Sequence, residues 1–147
     1  MGKKALCSLL VTLSLPISAF ASDDMSVPVS IQSAFFMKIL SYDRSLQSKN
    51  EIKIGVLSGK QQDAIISDFT GKKVGNVSLS VSKVSVSNSD NVDVLYVPPG
   101  NKDNIDTISK KTQNKSILTI TAVPSYVEGG LSIGLGLKLK FKTRNYS

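Results

Sequence analysis

The run Val94-Leu95-Tyr96-Val97, entered from Val92 and stopped by Pro98-Pro99-Gly100, constrains the fold more than any other feature of the chain. A strand with one wet face alternates apolar and polar residues; an unbroken apolar run is the pattern of a strand covered on both faces. Two consecutive prolines lack the N–H groups that a sheet ladder needs, so the strand must end there. A sheet covered on both faces requires helices above and below it, which predicts an α/β fold.

The rest of the chain supplies those layers. Residues 26–47 read as an amphipathic helix, with Ser26 as N-cap and Pro28 in the first turn. Ile31, Phe35, Ile39 and Tyr42 form its apolar stripe, which Phe36 and Leu40 widen. Glu51 to Leu57 alternates as a strand, Ser58-Gly59 turns the chain, and 60–69 reads as a short helix presenting Ile65 and Phe69. A loop over 71–76 leads to a strand carrying Val77, Leu79 and Val81. The apolar phase then slips to Val84 and Val86, which predicts a bulge or break near Lys83. Residues 101–112 read as a surface helix capped by Asn101 or Asp103, 117–121 as a strand and 122–130 as a loop. Leu131 to Phe141 alternates strictly, as one long strand or as a hairpin turning at Gly134 to Gly136. The expected architecture is a single layered α/β domain: a mixed, largely parallel sheet, flanking short helices, and a C-terminal strand or hairpin.

Residues 1–21 read as a secretory signal. Lys3 and Lys4 precede an apolar stretch from Ala5 to Ile17, and Ala19-Phe20-Ala21 is a small-residue cleavage site. The expected mature domain is therefore 22–147, exported to the periplasm as a soluble protein. Of 18 Lys and Arg, Lys3 and Lys4 leave with the signal; 16 cations then face 11 carboxylates, a net charge of +5. The chain has no histidine, and its only cysteine, Cys7, lies in the signal. The mature chain therefore has no means to build a Ser-His-Asp triad, a Cys-His pair, a Cys/His zinc site or a disulfide. Its carboxylates are scattered, with only Asp23 and Asp24 adjacent. The segment from Gly55 to Lys60 falls one residue short of a phosphate loop, and Gln61 stands where a magnesium-binding hydroxyl is required. Lys138, Lys140, Lys142 and Arg144 share one strand face, with no interleaved aromatic to suit nucleic acid. They read as the charged guard of a sheet edge or, alternatively, as a docking surface for an acidic partner or lipid headgroups. No enzyme and no cofactor are expected.

The order and spacing of several short words resemble the YfiR-like family of periplasmic proteins. They are Ala34-Phe35 in the first helix, Ile54-Gly55-Val56, Val94 to Val97, Leu118 to Ile120, and Gly129-Gly130 opening a strand pair that closes on Phe141. Tyr42-Asp43-Arg44 stands where the family usually has a Trp-Pro corner. The resemblance implies a regulatory protein that binds the periplasmic sensor domain of a membrane-bound diguanylate cyclase and represses cyclic-di-GMP signalling. The alternative is a periplasmic small-ligand binding protein, and a homodimer is open under either reading.

Two sets of residues are candidate sites. In sheets of parallel strands, ligands sit outside the carboxyl ends of the strands. Ser58 and Gly59, Pro98 and Pro99, and the loop bearing Tyr126, Glu128, Gly129 and Gly130 leave such ends. Tyr126 would supply a stacking face and Glu128 a charge, unless Gly129-Gly130 serves only the turn into the last strand. The second set is Phe36 and Met37, expected off the core stripe of the first helix as an exposed interface, with Phe35 in the core.

Overall fold

A computed structural model describes residues 27–136 and the backbone of 140–141. The expected signal segment, the Ser26 cap and the side chains of Lys138, Lys140, Lys142 and Arg144 lie outside the described residues. Helix α1 (Val29–Leu40) and a single-turn α2 (Arg44–Gln47) precede β1 (Glu51–Val56) and α3 (Gln62–Phe69). Then come β2 (Lys73–Val74), β3 (Val77–Lys83), β4 (Val94–Tyr96), a 3-10 turn (Lys102–Asn104), α4 (Ile105–Asn114) and β5 (Leu118–Thr121). Helix α5 (Pro124–Glu128), β6 (Ile133–Gly134) and β7 (Lys140–Phe141) complete the order.

The seven strands lie side by side as β2-β3-β1-β4-β5-β6-β7. Strands β3, β1, β4, β5 and β6 are parallel; β2 and β7 run antiparallel at the two ends. The chain moves outward in one direction from β1 to β3, then crosses back to β4 and proceeds the other way. The order reverses between β1 and β4, which is where a doubly wound sheet usually opens its crevice.

Strand β4 is buried throughout, as its apolar run requires. Val94 and Tyr96 face a core built with Phe36 and Leu40 of α1, Leu46 of α2, Ile65 and Phe69 of α3, and Ile52, Ile54 and Val56 of β1. Leu95 and Val97 face the opposite core, with Ile105 and Ile108 of α4 and Tyr126 of α5. The mixed α/β architecture is as expected. The phase slip near Lys83 is the end of β3: Val84 leaves the ladder after its N–H bonds the carbonyl of Val56. Val84 then lies over Gly55, where a Cβ would be 2.7 Å from its Cγ2.

Several local readings change. The helix expected over 26–47 is broken, because Asp43 adopts an extended backbone and its carboxylate accepts the N–H groups of Ser45 and Leu46, starting α2 afresh. The loop over 71–76 contains a tight hairpin between β2 and β3, turned by Gly75 at φ +59°. The loop over 122–130 contains α5, with Pro124 in its first turn. The C-terminal alternation is a hairpin, since β7 folds back antiparallel on β6.

The largest change is the rotation of α1. Its buried residues are Gln32, Ser33, Phe36 and Leu40. Phe36, expected at an exposed interface, is fully enclosed, with its ring edge-on to Tyr96 at 6.1 Å; Met37 is half-buried against the same core. Phe35 is only half-buried, and Ile31 is exposed. Polar partners set this rotation. The buried Tyr96 hydroxyl donates to Gln32 Oε1 at 2.5 Å, and the Ser33 hydroxyl donates to the Asp68 carboxylate on α3. Burying the Tyr96 hydroxyl without an acceptor would cost about 1–3 kcal/mol, enough to offset the exposure of one isoleucine.

Candidate functional site

The loops that leave β1, β4 and β5 emerge at one end of the sheet and meet there. The Lys60 N–H donates to the Pro99 carbonyl at 3.1 Å. Asn101 is buried, and its Nδ2 donates to the carbonyls of Ser58 and Pro98, each at 2.9 Å. Its own backbone N–H donates to the Tyr126 hydroxyl oxygen at 3.1 Å. Thr121 extends the set: its hydroxyl donates to the Val97 carbonyl and accepts the Val123 N–H. Gly59 is required here, because a Cβ would lie 2.5 Å from the Pro99 carbonyl oxygen.

The structure thus brings together Ser58, Gly59, Pro98, Pro99 and Tyr126, but ties them to one another. Pro98 and Pro99 are buried, and Tyr126 is enclosed beneath Asn101 with no stacking face to offer. The reason is the unused hydrogen-bonding capacity at the reversal point. Carbonyls of Ser58, Pro98 and Pro99 sit within reach of Lys60 and Asn101, and direct bonds satisfy them. Glu128 is exposed at the end of α5. Gly129 and Gly130 pack against α4: a Cβ on Gly129 would lie 2.5 Å from Ile105 Cγ2, and one on Gly130 would strike Ser109. Both glycines therefore serve close packing, in addition to the turn into β6.

Asn101 is the residue that sequence reasoning misplaced. As a helix cap it looked local, yet its side chain caps nothing and instead joins two loops 43 residues apart in sequence. Its position directly after a Pro-Pro-Gly stop at a buried strand is the signal by which it could have been found.

A polar depression of about 720 Å³ opens at the opposite end of the sheet, lined by residues 48–51, Lys53 and residues 90–93. Lys49 meets Asp93 within it at 3.1 Å, and the other Asp93 oxygen accepts the backbone N–H of Lys53. Asp90 is held below the usual carboxylate range by hydrogen bonding to Lys111 and, next, to Lys115. Asp68 is lowered chiefly by the Ser33 hydroxyl, with Lys72 assisting. Among the described residues, no group of three or more His, Cys, Asp or Glu is placed to hold a metal ion. No helix among them is long and apolar enough to cross a membrane.

Three layers, a reversal in strand order and loops bonded to one another at that reversal define a doubly wound α/β domain. The profile of the YfiR/HmsC-like family matches residues 30–142, and the chain belongs to that family. Among solved structures, a conserved domain protein from Vibrio cholerae O1 biovar El Tor str. N16961 superposes with a TM-score of 0.53 at 17% identity. The match covers 76% of this chain and 40% of that one, so this chain spans less than half of that protein's length and shares its fold. No curated protein matches the chain in sequence.

Proposed function

We propose that this chain is an exported regulator that binds the periplasmic sensor domain of a membrane-bound diguanylate cyclase and lowers cyclic-di-GMP output. The observation that carries this reading is membership of the YfiR/HmsC-like family over residues 30–142. The chemistry agrees with a binding role: the domain of 22–147 has neither histidine nor cysteine. The tied loops leave the small-ligand alternative less support, since Asn101 and Lys60 already occupy the carbonyls at the strand ends.

Deletion of the gene, with cyclic-di-GMP measured in the host, tests the reading. A rise reversed by the restored chain is expected; unchanged levels in both strains would overturn it. A pull-down of purified 22–147 against host membrane extracts should recover a membrane cyclase. Export has its own check, because N-terminal sequencing of the chain from the periplasm should begin at Ser22.

A further inference from the structure

We infer that the outward flank of α1, made by Ile31, Phe35 and Ile39 with Tyr42 just beyond, is where the partner docks, and that it receives an apolar segment bordered by carboxylates. This rests on the regulator reading and names the surface through which regulation would act.

Ile31 and Tyr42 are the exposed large apolar side chains among the described residues, 55% and 72% accessible. They stand at the two ends of one apolar row, joined by Phe35 and Ile39, which are half-buried, with Phe35 also touching the core beneath. Ile31, Phe35 and Ile39 recur every four residues along one side of α1, and Tyr42 follows three residues later. Clustered exposed apolar residues mark interaction surfaces, whereas single ones are ordinary. The flank has no freedom to turn inward: Gln32 is bonded to Tyr96 on the sheet, and Ser33 to Asp68 on α3. Ser33 lies about 160° around the helix from Phe35, so α3 covers the other side of α1.

Charge decides the occupant. Residues 29–42 contain no Asp or Glu. Lys38 is exposed with its Nζ 5.4 Å from the centre of the Tyr42 ring, and Arg44 is exposed at the start of α2. Neither forms an ion pair among the described residues. The nearby acid, Asp43, is occupied by the N–H groups of Ser45 and Leu46. The apolar stripe therefore has a positive rim. A second copy using the same face would set like charges against each other, whereas carboxylates on a different protein would complement them.

The test uses purified 22–147 and the sensor domain of the cyclase recovered in the pull-down, with affinity measured by calorimetry at two salt concentrations. The double variant Ile31→Asp/Tyr42→Asp should keep its melting temperature and lose at least about tenfold in affinity, as removal of apolar anchors does. Lys38→Glu/Arg44→Glu should weaken binding most at low salt, as rim charges do. Lys110→Ser, on α4, should change nothing. If the parent does not bind the sensor domain, the regulator reading fails and takes this inference with it. If the parent binds and Ile31→Asp/Tyr42→Asp binds equally well, only the docking surface is overturned. Conversion of a dimer to a monomer by that variant in light scattering would assign the flank to a second copy. Loss of parental binding to phosphatidylglycerol vesicles would assign it to lipid. Either result overturns the inference.

Discussion

The Tyr96 hydroxyl and the Gln32 side-chain oxygen, 64 positions apart in sequence, share a buried hydrogen bond of 2.5 Å that locks α1 onto the central strand. Gln32 also donates through Nε2 to the Val27 carbonyl and to Gln61 Oε1, so one side chain joins the start of α1, the sheet and the approach to α3. Tyr96→Phe leaves a buried acceptor without its donor and should cost about 1–3 kcal/mol in urea unfolding. The double variant with Gln32→Leu should lose less than the sum of the single changes, because each alone strands the other partner.

The same bond gives an alkaline signature. Burial pushes the Tyr96 phenol well above the ordinary tyrosine range. Its folded pKa is raised, so the native state holds the proton more tightly than the unfolded chain. The stability linked to it is fully present below about pH 10 and declines as pH rises beyond that value. Ultraviolet titration should show Tyr96 resisting ionisation until unfolding, a contribution that Tyr96→Phe should remove.

Truncation of α1 should separate its two faces. Phe36→Ala should destabilise by about 3–5 kcal/mol, as loss of an enclosed aromatic does. Ile31→Ser should stay within about 0.5 kcal/mol, the range for surface changes. Equal losses by both variants in denaturant titration would mean that α1 is rotated differently.

At the sealed end of the sheet, Asn101→Ala removes both side-chain bonds to the Ser58 and Pro98 carbonyls. The expected cost is about 1–3 kcal/mol, with faster amide exchange at residues 57–60, 100 and 101. Gly59→Ala should be more damaging than a glycine replacement on open surface, such as Gly71→Ala. Both positions have positive φ and strain an alanine, but the Gly59 Cβ would also press on backbone oxygen, while at Gly71 a Cβ meets nothing within 4 Å. Comparable melting temperatures for these two variants would contradict the tight loop contact.

Asp43 supplies an acid-side test. Its carboxyl is held below the usual range, chiefly by the Ser45 hydroxyl and then by the N–H groups of Leu46 and Ser45. A lowered folded pKa contributes stability above the unfolded value of about 3.9, and that contribution fades as pH falls through the folded value. Asp43→Ala should therefore cost about 1 kcal/mol at pH 7, the common worth of an N-cap. The difference from the parent should shrink below about pH 4.

The sequence by itself determined the layered sheet. Val94 to Val97 has no polar residue to turn toward water, so β4 had to be central and covered on both faces. The prolines after it had to end the ladder. The alternation of Ile52, Ile54 and Val56 placed β1. These patterns were legible because each depends on how neighbouring residues divide between core and water. The breaks were less legible: Asp43 caps within its own turn, yet nothing upstream of it in the apolar period announces the interruption.

Only the tertiary structure decided the rotation of α1 and the state of the loops. Counting apolar residues put Ile31 and Phe35 inward and Phe36 outward, because hydrophobic spacing ranks faces by their own composition. Gln32 faces the core on account of Tyr96, and Ser33 on account of Asp68, partners that no local window contains. The loop glycines and prolines likewise showed that chain segments approach closely, without showing what they approach. They meet each other through Asn101, whose amide reaches across from one strand end to the next. Apolar burial is nondirectional and can be read along a chain, whereas a buried hydrogen bond needs a particular partner at a particular distance, and that partner is supplied only when distant segments come together.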